Sequence, residues 1–156
     1  MANDKNVRID SHEGVLLTQP LLDFINKYPR FQFGESVAFG DATHSDGLAL
    51  YPVSGALVIS EVEDITGGHE SNRQYPFYLV YKVGQGSIAH SISIKEFLDD
   101  IGAWCENQDY SELNTTEIEV TGIERQTVAA MESTENDGTE NWTIAITLFY
   151  TKRWNE

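Results

Sequence analysis

The sequence predicts an α+β domain: a mainly antiparallel sheet of about four strands with two helices packed on one face. Three observations lead there. Phe77, Leu79, Tyr81 and Val83 alternate with Tyr78, Val80 and Lys82, and Trp142, Ile144, Ile146, Leu148 and Tyr150 alternate with Thr143, Ala145, Thr147, Phe149 and Thr151. This period of two defines long strands. Between them Phe97, Leu98, Ile101, Trp104 and Cys105 fall on one side of a helix, an apolar stripe suited to a sheet face. The order of helix, irregular segment, two strands, helix and two strands then favours helices layered on one side of an antiparallel sheet.

Residues 1–14 are polar and aperiodic and read as a loose amino-terminal segment of one domain spanning residues 1–156. A helix is expected within residues 15–28, where Leu17, Leu21, Phe24, Ile25 and Tyr28 share a face. Thr18 is placed to cap its main body, Pro20 fits the first turn, and Pro29 ends it. From Arg30 to Gly55, Phe31, Phe33, Val37 and Phe39 are interrupted by Gly34, Gly40, Gly47 and Gly55, giving one short irregular strand and a long ordered loop.

Residues 56–64 form the next strand, with a buried beginning at Leu57, Val58 and Ile59 and an exposed acidic end. Its expected partner is residues 75–83. The ten residues between, Ile65 to Gln74, are long for a turn and contain Gly67 and Gly68; they read as a mobile hairpin arm. Ser93 and Glu96 have the spacing of a capping box at the start of the second helix, with Ile92 and Phe97 as its staple. Tyr110 and Leu113 anchor the polar connection that follows. Residues 117–132 read as one long strand with a bulge or bend at Gly122, and Glu135 to Gly138 as the turn into the last strand. Apolar side chains in both phases of residues 75–83 leave a second sheet face to be covered by loops or by other copies of the chain.

The formal charge is −15, and between Glu96 and Glu140 thirteen acids face a single base, Arg125. Such a surface repels phosphates, so direct binding to nucleic acid or to an anionic membrane is not expected. One cysteine excludes an internal disulfide, and the absence of an eighteen-residue apolar run or a signal peptide leads to the expectation of a soluble protein in a reducing compartment. No phosphate loop, dinucleotide fingerprint, zinc-protease helix or nucleophile elbow is present. Asp41, His44 and Asp46 match no metal loop, and His12, His44, His69 and His90 stand at unrelated positions. Cys105 sits on an apolar helix side beside Glu106, where a thiol is poorly activated. Catalytic residues, metal ligands and cofactors are therefore all expected to be absent; the weak enzymatic alternative needs His44, His90 and Asp99 to converge.

The segments "ISEVEDITGGHESNRQYPFYLVYKV" and "SISIKEFLDDIGAWCE" resemble small minor capsid proteins of tailed phages and prophages of Gram-positive bacteria. Asp64, Ile65, Gly67, Tyr75, Pro76 and Phe77 carry the loop-and-strand part, and Phe97, Leu98, Ile101, Gly102 and Trp104 the helix part. The likeness covers residues 56–106 best, and the element order is also similar to that of tail terminator proteins. It implies a non-enzymatic structural protein of the head-tail or tail region of a virion, assembled in the bacterial cytoplasm. Foremost this is a tail terminator whose partners are other copies of itself in a ring of six and the tail-tube or head-connector proteins; a host-side ligand-binding or regulatory domain of prophage origin is the alternative. The expected contact residues are Ile65, Gly67, Gly68, His69 and Arg73 in the arm, with Lys152, Arg153 and Trp154 at the basic end.

Overall fold

The computed structural model describes residues 17–31, 36–40, 47–53, 58–63, 65, 67–84 and 88–155. The expected loose segment at 1–14 and the Asp41, His44 and Asp46 group lie outside them. Within them the fold is α+β, with two helices and a mixed, mostly antiparallel sheet of seven strands rather than four.

Helix α1 includes residues 17–25, and the chain leaves it through Tyr28, whose N–H donates to Ile25 O at 3.0 Å. Leu21 and Ile25 are completely buried on its inner side. Thr18 lies inside the helix and does not cap it; its hydroxyl shares a 2.8 Å hydrogen bond with the Tyr75 hydroxyl and pins α1 to the sheet. Asn26 then acts as a surrogate strand partner, donating from Nδ2 to Val37 O and accepting from Val37 N. This fixes the start of β1 (Val37–Phe39), which runs parallel to β2 (Gly47–Pro52). The single irregular strand expected before Gly55 is thus two strands. Leu48 and Leu50 of β2 give them an apolar anchor that glycine content alone concealed.

Two strands of sixteen residues, β4 (Gly68–Val83) and β7 (Glu140–Asn155), pair antiparallel along their whole length and form the axis of the sheet. At ~3.3 Å per residue each spans about 50 Å. Outside β4 lie β2, opposite Phe77 to Lys82, and β3 (Val58–Glu63), opposite His69 to Arg73. Outside β7 lie β5 (Ile118–Arg125) and β6 (Ala130–Thr134). The expected single strand over 117–132 is divided at Gln126 to Ala129. A bulge between Val120 and Gly122 occurs where the change of apolar phase requires it.

The phase of β4 and β7 makes the sheet two-faced. Phe77, Leu79, Ile144, Ile146, Leu148 and Tyr150 are buried beneath the helices, as the alternation predicts. Helix α2 (Ile88–Glu106) starts five residues before Ser93, so the expected capping box is in fact the second turn, and Ser93 and Ile92 are exposed. Its inner side is the expected stripe, with Leu98, Ile101 and Cys105 fully buried and Ile94 added to it. Phe24 from α1 and Tyr28 just beyond it meet Trp104 at ring-centroid distances of 5.3 and 5.7 Å, tying the helices together. Tyr110 and Leu113 anchor the connection as expected: Leu113 is buried in a short 3₁₀ turn, Ser111–Leu113, and the Tyr110 hydroxyl donates to Cys105 O at 2.6 Å.

Gly102 lets α2 approach the sheet. A Cβ there would stand 2.6 Å from Arg125 Cδ and 3.1 Å from Ile144 Cδ1. Arg125 cannot retreat freely, because its Nε and backbone N–H both donate to the Glu106 carboxylate, at 2.9 and 3.0 Å. Gly102→Val is expected to destabilise the fold by about 1–3 kcal/mol, as overpacking does, measured by urea denaturation. Loss of less than about 0.5 kcal/mol would show that the approach is looser.

Candidate interaction surface

The turn after β3 is far shorter than the expected ten-residue arm. Gly67 takes a positive φ of 87°, which suits glycine, and β4 has begun by Gly68. Residues 68–74, expected to be a mobile loop, form a strand paired with β3 on one edge and β7 on the other. Their polar side chains hid this because ladder bonds on both sides, not side-chain alternation, hold the strand in place. The arm is therefore a hairpin extending the sheet beyond its partnership with β2.

Six of the expected contact residues meet at this end. His69 stacks on Trp154 with centroids 5.0 Å apart and planes 7° apart, and its Nε2 lies 3.9 Å from Glu63 Oε1. Arg73 is buried, its guanidinium 5.7 Å from the Trp154 ring, and its Nε donates to Ser71 Oγ at 3.0 Å. Lys152 Nζ lies 5.8 Å from the same ring. On the opposite face Arg153 joins Glu70 and Glu119 at 3.0 and 3.1 Å, with Gly68 at the strand end beside it. Ile65 and Gly67 stand apart in the turn, Ile65 fully exposed. Arg73 consequently reinforces the arm from within and is not the outward cation that its sequence position suggests. Its guanidinium stands over the Trp154 ring within cation–π reach.

The outward groups include large apolar side chains. All six residues of β3 are exposed, including Val58, Ile59 and Val62, so Val58 and Ile59 are not buried as expected; Leu57 lies outside the described residues. The reason is position: β3 lies against the half of β4 that contains Ser71 and Arg73, away from the stripe of α2. The sequence does hold the signal, a β-branched run next to a polar partner strand, but it does not say which half of β4 that run would meet.

The second surface is the sheet face opposite the helices. Tyr78, Val80, Ala145 and Phe149 point to it, and Tyr78 is 39% exposed. An open depression of about 520 Å³ touches the arm at Val62, His69, Glu70 and Trp154, and another of about 490 Å³ lies at Phe24, Trp104 and Glu112 between the helix ends.

Of the residues considered for catalysis, the two that are described, His90 and Asp99, do not converge. His44 is outside the described residues. His90 is in the first turn of α2, and Asp99, nine residues later, stands roughly 14 Å further along the axis. Asp99 is engaged structurally: its carboxylate accepts from Lys95 Nζ at 2.6 Å and from Ala129 N at 2.7 Å. Burial and then Glu106 push the Cys105 thiol up to about 12. A raised folded value favours the neutral thiol, so this contribution to stability is complete below about pH 8.5 and is lost as pH rises toward 12. Cys105 is expected to resist an aromatic disulfide reagent at pH 8 until the protein unfolds, so labelling and urea unfolding should coincide; rapid labelling of folded protein would contradict its burial.

Several acids of the run from Glu96 to Glu140 are internally balanced. Asp100 accepts from Arg30 Nε at 2.7 Å and from the Tyr28 hydroxyl, Glu112 meets Lys27, and Glu106 meets Arg125. Arg30 first, then Tyr28, hold the Asp100 carboxyl below its ordinary value. That support is present above the ordinary carboxyl value and is lost as pH falls through the folded one.

Among the described residues no helix is long and apolar enough to cross a membrane, and no three His, Cys, Asp or Glu side chains are grouped to hold a metal. No protein-family model matches the chain, and no curated protein matches it significantly.

Proposed function

We propose that this chain is a structural, non-enzymatic subunit of a tailed-phage particle, acting in the head-tail or tail region, foremost as a tail terminator that forms a ring at the end of the tail tube. The observation that carries the reading is the arm: a hairpin extending from the domain that exposes Val58, Ile59, Val62 and Ile65. An edge strand bearing large apolar groups is a liability in a permanent monomer and a natural contact element in an assembly. The resemblance of residues 56–106 to minor capsid proteins points the same way and selects other copies and tail-tube or connector proteins as partners.

The acidic balance suits a subunit near passing DNA that must not hold it, since its field opposes phosphate binding. Interrupting the gene in the phage or prophage that carries it, followed by electron microscopy of the induced particles, tests the role. The expected result is unjoined heads and tails or tails of uneven length, restored by the intact gene. Normal, fully infectious particles would overturn the reading.

A further inference from the structure

We propose that the open sheet face receives the β3 arm of a second copy of this chain, so that each subunit gives its arm to one neighbour and its open face to the other. This rests on the assembly reading above and adds the surface that receives the arm.

The open face is unusual in a chain with 35 charged residues among 156. Between Glu70 and Lys82 on β4, and between Asn141 and Arg153 on β7, ten residues point to it and none is charged. Charge gathers at its borders instead, in the Glu70, Arg153 and Glu119 group at one end, in Lys82, 4.0 Å from Glu135, at the other, and in Glu124, opposite Thr147, along the β5 side. An uncharged centre containing Tyr78 and Phe149 inside a charged rim is the composition of an interface core.

The arm is complementary. Ser60 and Val62 pair with Asn72 and Glu70 and share the phase of the open face, whereas Glu61 and Glu63 have the opposite phase. One side of β3 is therefore uncharged, with the bulged Ile59 beside it. Such a side can settle on Tyr78 and its neighbours with Glu61 and Glu63 turned away, while Glu70 beside Val62 keeps its ion pair with Arg153 at the rim.

Size argues for a closed set of copies in preference to a pair. The central parts of β4 and β7 with β2 of six residues and β5 of eight, at about 4.8 Å between strands, give a face of about 500 Å², short of the ~800 Å² per partner of a stable complex. A subunit that both gives an arm and receives one doubles its contact area, and a heterologous contact of this kind closes into a ring when its rotation allows.

The test uses Val62→Cys and Tyr78→Cys, each adding one cysteine to the buried native Cys105, mixed in equal amounts and oxidised with copper phenanthroline. The expected product is the mixed Val62–Tyr78 disulfide, at least about tenfold more abundant than either like-with-like product, with a Val62→Cys, Tyr78→Cys double variant giving a ladder that ends in a closed ring. Predominant like-with-like products would overturn the arm-to-face contact and leave an assembly of another geometry. Absence of cross-links while the unmodified chain forms oligomers by light scattering would also overturn it and leave the assembly reading standing. Absence of both would overturn both.

Discussion

Replacing Ile59 and Val62 together by lysine is expected to leave the fold intact and to abolish self-association. Both side chains are more than half exposed, at 53% and 59%, and neither touches the core beneath the helices. Surface changes of this kind usually fall within about 0.5 kcal/mol each, so the melting temperature should move by no more than about 3 °C. In an assembled state the same positions would be covered. Losing two buried aliphatic groups forfeits about 1.5–3 kcal/mol apiece, and the lysines add charge to a contact whose centre carries none. A loss of at least a hundredfold in association follows, about 2.8 kcal/mol at 1.4 kcal/mol per tenfold, read by light scattering on dilution. Unchanged association would release β3 from its role and turn attention to Lys152, Arg153 and Trp154.

Phe77→Ala is expected to have the largest effect on folding. Phe77 is 1% exposed, opposite Ile146 on β7 and Pro52 on β2, and its ring lies 6.2 Å from that of Tyr75, whose hydroxyl meets Thr18 of α1. Truncation opens a cavity between the sheet and the helices. Such losses cost about 3–5 kcal/mol, equivalent to roughly 10 °C in a domain of this length. Tyr78→Ala, one residue along and on the other face, should cost less than about 1 kcal/mol in the isolated subunit yet weaken association. Similar destabilisation by both variants would contradict the two-faced sheet.

That two-faced sheet was legible in the sequence because its cause is local and periodic. The alternation of Phe77, Leu79 and Tyr81, and of Trp142 through Tyr150, fixes which side chains point inward, and the spacing of Phe97, Ile101 and Cys105 fixes what covers them. The bulge near Gly122 was legible for the same reason: the apolar phase slips by one. What escaped depends on partners distant in the chain. Residues 68–74 form a strand because β3 and β7 bond to both edges, and β1 is held by Asn26 across the end of α1. The start of α2 was misplaced because Ser93 and Glu96 satisfy a capping pattern one turn inside the helix.

The candidate surface was only partly readable. The arm was located from the length of the connection and its glycines, and His69, Arg73, Lys152 and Trp154 do meet there. Their expected outward roles could not anticipate the stacking on Trp154 that turns Arg73 inward. The exposed residues Val58 and Ile59 resembled the opening of a buried strand, whereas Val62 stood in the end expected to be exposed. An apolar β-branched run has the same sequence signature whether its cover comes from its own helices or from another copy.

The central claim, that the chain is an assembling subunit joined through its β3 arm, is tested most directly by light scattering of the unmodified protein and of the Ile59→Lys, Val62→Lys variant. Concentrations from about 10 µM to 1 mM bracket weak association, and each is measured with and without phage tail tubes, the proposed partner. The predicted result is a closed species of six copies, or capture at tube ends, for the unmodified chain and a folded monomer for the variant. A monomer under every condition for both proteins, with no attachment to tubes, would contradict it.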